Sequence, residues 1–299
     1  MKKIIFVFFA CFVCVIGVYA QAKLKVRTIG TEFETTYGSC SISIDYPESD
    51  NAVFNKAVNS RFLALLKKLG NNSEDLEMKA QKVKDATTMD YFIKEVAEKV
   101  GKKVSDEWAE AMAEGSVDSL MCSHDLQIKL IVDKPLYLCF SVIDYGYFGG
   151  VHGFTSYLPL LVRKSDGKTI SNVFRKDKVG QLYNYLKKNF YKNDFGGLQM
   201  ADIGKNDWKA KAEFAEALRD YGSFSEPEFA WIDSKNVYIQ YQQYEIVPYA
   251  YGAPVVELPL RIAMPYLTNE VKALLNGGNK TVKRGSSKGM RKGTKRRRR

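Results

Sequence analysis

The amino-acid sequence predicts an α+β fold in which antiparallel sheets and packed helices form two α/β subdomains. In some segments apolar and polar residues alternate, as in half-buried strands, and in others apolar residues recur every three or four positions, as in amphipathic helices. The two kinds of segment come in runs rather than in regular β–α–β alternation, which favours α+β. The chain has 299 residues, of which 45% are hydrophobic, so it can bury a sizeable core.

The first half predicts one strand followed by helices. Residues Ser39 to Tyr46 alternate as a half-buried strand does, and Pro47 is expected to end that strand. A helix should follow, with Asp50 as its N-cap and Gly70 at its end. From Phe92 to Met112 an apolar residue recurs every fourth position, which indicates two helices or one kinked helix.

The second half alternates between strand-like and helix-like segments. A hairpin is expected from Leu126–Val132 and Leu136–Tyr145, joined by a turn at Asp133–Pro135. The further predicted strands are Tyr157–Arg163, Phe229–Ile232, Val237–Tyr241 and Val255–Leu260, and the further helices are Lys178–Tyr191, Asp207–Asp220 and Thr268–Leu275.

The N-terminus has the pattern of a secretory signal peptide. Lysines at positions 2 and 3 precede an apolar stretch from Ile4 to Val18, and small residues allow cleavage after Ala20. We therefore expect an exported protein, either periplasmic or secreted. The alternative is a retained membrane anchor, but the apolar stretch is short for a bilayer. Lipoprotein processing at Cys11 ranks lower than cleavage after Ala20, because it would leave a very short apolar stretch before the cleavage site.

The C-terminus carries the positive charge of the chain. Residues 280–299 contain eleven Lys and Arg and no acidic residue, whereas the body between the signal and this tail is close to charge balance. We expect the tail to be disordered, with anionic envelope polymers or lipid head groups as its possible partners, and no dedicated nucleic-acid site in the body. The predicted segments are a signal peptide (1–20), an N-terminal α+β domain (21–124), a C-terminal α+β domain (125–276) and the polybasic tail (277–299).

Three cysteines remain in the mature chain, at Cys40, Cys122 and Cys139. An odd number allows at most one intramolecular disulfide, and an exported protein could form it. Cys40 also lies in the alternating strand pattern, where a buried free thiol fits as well. No pairing is therefore assigned.

A glycine-rich segment from Tyr145 to Phe154 is the first candidate site. It combines four glycines and four aromatic residues with one of the two histidines of the chain. It predicts either a binding loop or a tight connection between strands in which the histidine bonds to the backbone. The candidate binding residues in it are Tyr147, Phe148, Gly149, Gly150 and His152.

A tyrosine-rich segment from Tyr238 to Gly252 is the second candidate. Tyrosine has a large apolar face and a polar tip, which suits recognition surfaces, although aromatic residues also pack well in strands. Its candidate binding residues are Tyr244, Pro248, Tyr249 and Tyr251. We expect both segments to contribute to one surface.

Catalytic patterns are weak by comparison. The sequence lacks the HExxH and CxxC zinc patterns, the GxSxG elbow, the P-loop and the dinucleotide fingerprint, so it predicts no metal ligands, cofactor or catalytic residue. The alternative to a binding protein is an enzyme acting on cell-envelope polysaccharide or peptidoglycan. In it, His152 and either Asp144 or Glu245 would serve as acid and base.

The C-terminal half resembles the domain of unknown function in the extracellular region of RsiV anti-sigma factors. The matching stretches are Tyr147–Gly153, Asp166–Phe174 and Tyr244–Gly252. The N-terminal half is similar to the domain that precedes it in RsiV-like and PdaC-like proteins, through Ile42–Pro47 and Ala57–Asn59.

This resemblance implies an exported, envelope-facing binding module. In RsiV the region is a lysozyme receptor, so lysozyme or a cell-wall polymer is the implied partner. We expect neither sigma-factor signalling nor deacetylation, because the sequence shows no sigma-binding segment and no deacetylase domain.

Overall fold

The computed structural model describes residues 24–115, 121–190, 225–249 and 252–286. The predictions about the signal peptide, Cys11, the helix at 207–220, Tyr251 and the last residues of the tail lie outside these ranges. None of the described helices is long and apolar enough to cross a membrane.

The described residues contain eight strands and six helices, and the α+β prediction is confirmed. In chain order these elements are β1 (Leu24–Glu34), β2 (Gly38–Ser49), α1 (Ala52–Leu69), α2 (Glu74–Ala80), α3 (Ala86–Ala113), β3 (Cys122–Asp133), β4 (Tyr137–Tyr147), β5 (Phe154–Arg163), α4 (Val179–Phe190), β6 (Phe229–Ile232), β7 (Asn236–Gln240), β8 (Val255–Pro259), α5 (Leu260–Ala263) and α6 (Asn269–Ser286).

Five strands form one sheet in the order β1-β2-β3-β4-β5. β2 and β3 run parallel, and the other neighbours are antiparallel. Helices α1, α2 and α3 lie between β2 and β3 in the chain, so they form the crossover that a parallel pair requires. The predicted hairpin is confirmed as β3 and β4.

One side of this sheet, which we call the helix side, packs against α1 and α3, and α2 packs against these two helices. Alternate residues of the strands point to it, and they are apolar along most of its length because successive strand residues face opposite sides. Together with the apolar stripes of the three helices they form the first core, which includes Ile42, Ile44, Phe62, Ile93, Val96, Leu126, Ile128 and Phe140.

The opposite side, the outer side, is covered at one end by a second core. Tyr137 and Cys139 at the start of β4 and Leu161 in β5 pack there with residues of β6, β7, β8 and the C-terminal helices. β6, β7 and β8 form a three-stranded antiparallel sheet. The domain boundary predicted at residue 124 lies inside β3, so strands from both predicted domains share the five-stranded sheet.

Helix ends follow local chemistry. α1 begins at Asn51 rather than at Asp50, because the Asn51 side chain accepts hydrogen bonds from the backbone N–H groups of Val53 and Phe54, and it ends at Gly70 as predicted. α3 is one continuous helix despite Gly101. A Cβ at Gly101 would lie 2.6 Å from the Phe33 ring, so this glycine allows β1 to approach the helix.

Four further features differ from the sequence-based expectations. β1 and α2 were not predicted, and β2 continues past Pro47 to Ser49. The ladder between β2 and β3 ends at Ile44, so Pro47 pairs with β1 and not with β3. Its missing backbone N–H therefore interrupts no hydrogen bond between β2 and β3. α6 continues through Gly277 to Ser286, into the segment predicted to be disordered.

Cys40, Cys122 and Cys139 are buried free thiols. Burial raises the pKa of the Cys40 and Cys139 thiols to about 12, so both stay protonated near neutral pH. These cysteines therefore behave as small apolar core residues.

Candidate functional site

The glycine-rich segment forms the connection between β4 and β5, and we call residues Phe148–Gly153 the glycine loop. Gly149 and Gly150 have φ angles of +90° and +89°, in the left-handed region that favours glycine. The Tyr147 hydroxyl donates to the carbonyl of Gly150 at 3.0 Å. The loop therefore has a defined conformation set by its own residues.

On the helix side the loop packs against the end of α3. A Cβ at Gly149 would lie 2.6 Å from the Trp108 indole, which is 7% exposed, so the backbone rests directly on this ring. The Phe148 ring meets His124 edge-on with centroids 5.6 Å apart. His124 Nε2 lies 2.8 Å from a carboxylate oxygen of Asp144.

On the outer side the loop joins the tyrosine-rich segment, which includes residues 241–249 after β7. The His152 ring stacks on Tyr249 with centroids 3.6 Å apart and an angle of 14° between the planes. The Tyr249 hydroxyl donates to the carbonyl of Gly153 at 3.0 Å, and Tyr244 lies 5.4 Å from Tyr249 between ring centroids. The structure thus brings His152, Tyr244 and Tyr249 together.

The hydrogen bonds of His152 indicate its tautomer. Nδ1 lies 3.0 Å from the carbonyl oxygen of Gly153, which can only accept, so Nδ1 carries the proton. Nε2 makes the second hydrogen bond of the ring, with the Tyr244 hydroxyl 3.0 Å away. Both ring nitrogens are engaged in fixing the geometry of the cluster.

The tyrosine-rich segment is tied to the free edge of β5 by two glutamines. The Gln243 side chain accepts from the backbone N–H of Thr155 at 2.8 Å, and Gln242 both accepts from and donates to the backbone of Tyr157. Pro159, two residues on, has no N–H to satisfy. These contacts hold the two segments in register and cover the edge of the sheet.

The glycine loop and the tyrosine-rich segment together form what we call the aromatic frame. Several side chains around this frame are apolar and exposed. Val151 at the tip of the loop is 97% exposed, Phe148 57%, Phe154 54% and Tyr244 46%. Pro248 is half-buried in the tyrosine-rich segment. Phe148 lies on the helix side of the loop whereas the His152 cluster lies on the outer side, so the candidate residues flank one end of the sheet.

Sequence reasoning did not identify Trp108, His124, Val151, Phe154 or the two glutamines as parts of this site. Trp108 belongs to the helical period of α3, and nothing in that period indicates contact with a distant loop. Val151 and Phe154 lie inside the glycine-rich segment, where counting exposed apolar residues beside the glycines could have found them.

The two carboxylates considered with His152 as acid and base are bonded to other groups. Asp144 pairs with His124, and Glu245 accepts from the backbone N–H of Gln242 at 2.6 Å and from the Ser225 hydroxyl. The described residues contain no group of three or more His, Cys, Asp or Glu placed to hold a metal ion. The arrangement can offer stacking faces, apolar contact area and a few hydrogen bonds.

Residues 171–261 match a family model described as protein of unknown function, DUF3298. The match includes the tyrosine-rich segment and ends in α5, while the glycine loop precedes it. This part of the chain is therefore similar to the DUF3298 family.

Two solved structures share the fold. A DUF3298 family member from Bacteroides fragilis is 16% identical with a TM-score of 0.58, and covers 86% of this chain and 98% of its own. A DUF3298 family protein from Pseudomonas aeruginosa is 13% identical with a TM-score of 0.50, and covers 84% of this chain and 97% of its own. Among curated proteins, none matches the sequence. The relation to RsiV and to PdaC-like proteins stays a prediction.

Proposed function

We propose that this chain is an exported binding protein of the cell envelope that recognises a partner protein through the glycine loop and the tyrosine-rich segment. The observation that carries the proposal is a set of exposed apolar side chains, Val151 and Phe148 in the loop and Phe154 directly after it, next to the hydrogen-bonded cluster of His152, Tyr244 and Tyr249. Exposed apolar patches on a folded protein mark interaction sites.

The rigidity of the loop supports binding rather than chemistry. Gly149 rests on Trp108 from one side, and the stack of His152 on Tyr249 holds the loop from the other. A loop fixed before binding loses little conformational entropy when a partner docks, so its exposed side chains contribute more of their contact energy to affinity. Aromatic residues are also enriched at the centres of protein interfaces.

The partner that we propose first is lysozyme, because the sequence resembles the lysozyme-binding region of RsiV at the two segments that form this frame. Export by the signal peptide would bring the protein to the place where lysozyme acts. An enzymatic role is the weaker alternative, since both nitrogens of His152 are engaged by Gly153 and Tyr244.

Calorimetric titration of the mature chain, residues 21–299, with lysozyme at physiological salt tests the proposal. We expect saturable binding, weakened about tenfold or more by Phe148→Ala and by Tyr249→Ala, as interface aromatic residues typically show. Tyr91→Ala is the matched control, because Tyr91 is 66% exposed on α3 and lies many helical turns from Trp108.

The outcomes separate the parts of the proposal. Binding that both site variants leave unchanged would place the interface elsewhere on the protein. A wild-type chain that does not bind lysozyme would reject this partner, and isolated cell walls would be the next ligand to test. Repeating the titration at higher salt identifies any contribution of the polybasic tail, because salt screens exposed charges.

A further inference from the structure

The outer side of the sheet is polar where the second core does not cover it. Along β2 the residues that face outward are Ser39, Ser41, Ser43 and Asp45, and they alternate with the buried residues of the first core. In the neighbouring strands Thr28 lies opposite Asp45, and Gln127 lies beside Ser43. This half of the outer side therefore presents hydroxyl, amide and carboxylate groups to solvent.

A cavity lies in this surface where two strands separate. The parallel ladder of β2 and β3 ends at the pair Ile44 and Ile128, and beyond it the Asp45 side chain accepts from the backbone N–H of Leu130 at 2.9 Å. The resulting cavity has a volume of about 350 Å³. It is lined by Thr28, Ser43, Asp45, Gln127, Ile128 and Lys129.

The groups that line this cavity match a polyhydroxylated ligand. Asp45 is fixed by two hydrogen bonds, from Leu130 and from the Thr28 hydroxyl at 2.7 Å, so its carboxylate is a preorganised acceptor for ligand hydroxyl groups. Gln127 and Lys129 are exposed and offer donors from the next strand. One carboxylate and one ammonium group balance each other, which gives an anionic ligand no net attraction.

Aromatic side chains extend the same surface. The residues facing outward in the row of Ser43 and Gln127 continue with Ile143 of β4 and Tyr157 of β5. Neighbouring strands are about 4.8 Å apart, so the row from β2 to β5 spans about 14 Å. Tyr145 is the next outward-facing residue of β4 after Ile143, and its ring packs against Gly153 at the end of the glycine loop.

We propose that this polar groove on the outer side of β1, β2 and β3 binds a neutral oligosaccharide, with its sugar hydroxyls bonded to Asp45, Ser43 and Gln127 and further sugar units lying toward Tyr157. The length and mixed polarity of the row fit several linked sugars better than one. This site goes beyond the protein-binding loop, because it uses different residues and does not need that loop to bind anything.

The test titrates the mature chain with the tetrasaccharide of N-acetylglucosamine as the probe, followed by calorimetry and by NMR shifts. We expect wild-type binding, a loss of about fivefold in affinity for Gln127→Ala, which removes one hydrogen-bonding side chain, and a loss of about tenfold or more for Ser43→Tyr, which fills the cavity. Gln81→Ala, an exposed glutamine at the end of α2, is the matched control and should bind as the wild type does.

The outcomes decide the proposal in either direction. The proposal is overturned if the wild-type protein does not bind the tetrasaccharide, or if both groove variants bind it with unchanged affinity. It is also overturned if the groove binds a sulfated tetrasaccharide in preference to the neutral one. If Ser43→Tyr does not fold, Gln127→Ala and Lys129→Ala decide, since both change exposed side chains. Phe148→Ala should keep full tetrasaccharide binding, and Ser43→Tyr should keep lysozyme binding, so failure of one site does not imply failure of the other.

Discussion

The two sides of the five-stranded sheet are built differently. The helix side is apolar along most of its length and is covered by α1, α2 and α3. The outer side is apolar only at the end that β6, β7, β8 and the C-terminal helices cover, and it is polar and aromatic at the other end. The comparison shows that one side of the sheet is buried along most of its length, whereas half of the other side is left open to solvent with polar groups.

The glycine loop connects the two sides, and it is held differently on each. On the helix side it rests on Trp108 by close packing, whereas on the outer side it is held by ring stacking and by hydrogen bonds. Close packing tolerates little added volume, while exposed hydrogen bonds contribute about 1 kcal/mol each. The three predictions below test the comparison between the two sides of the sheet, from the largest expected effect to the smallest.

The first prediction compares two adjacent glycines. Gly149→Ala should lower the free energy of unfolding by about 3 kcal/mol, because a left-handed backbone conformation and a clash with the Trp108 ring both oppose the new Cβ. At Gly150 the backbone is also in the left-handed region, but no atom lies within 4 Å of a new Cβ. Gly150→Ala should therefore lower the free energy of unfolding by about 1 to 2 kcal/mol. Urea unfolding of both variants measures the difference, and equal losses would show that Trp108 does not support the loop.

The second prediction concerns one buried thiol in each core. The folded-state pKa of Cys40 and of Cys139 is raised by burial from 9.0 to about 12, so their contribution to stability is complete below pH 9 and decreases as pH rises toward 12. Stability should therefore fall between pH 9 and pH 11. Cys40→Ala and Cys139→Ala should each make this fall shallower, and unfolding curves at several pH values measure it. A variant that keeps the full wild-type dependence on pH would show that its thiol is not desolvated in the native protein.

The third and smallest effect is on the outer side. Tyr249→Phe keeps the stack on His152 but removes the hydroxyl that donates to Gly153, so a loss of about 1 kcal/mol of stability is expected. Tyr244→Phe removes a more exposed hydrogen bond to His152 and should cost less. Thermal unfolding compares the two, and a larger loss for Tyr244→Phe would contradict the described geometry of the cluster.

Most elements with strong periodicity could be predicted from the sequence, among them α1, the hairpin of β3 and β4, α4 and the three short strands of the second sheet. β1 could not, because it is an edge strand with few buried residues and mostly polar positions. α2 has seven residues and buries two of them, Leu76 and Ala80, which is too little for a periodic signal. The prediction that Pro47 ends β2 was wrong, because a proline disrupts a strand only where its missing N–H would have bonded to a neighbouring strand. The sequence does not show which neighbours a strand has at a given residue.

The candidate site could be predicted in part. Composition alone singled out the glycine-rich and tyrosine-rich segments, and the structure places His152 in contact with Tyr249. The partner of His124, the support from Trp108 and the polar groove depend on which residues the fold brings together across the sheet. Local sequence patterns carry no information about such distant contacts.

The parallel pair of β2 and β3 also has a consequence for how fast the chain refolds. The hairpin of β1 and β2 and the three consecutive strands β3, β4 and β5 can each form from neighbouring residues. Joining them requires closing a loop that contains all three crossover helices, and such non-local contacts slow folding. The rate-limiting step of refolding should therefore be the docking of these two preformed parts, and the polar groove, which lies at their junction, would be among the last surfaces to form.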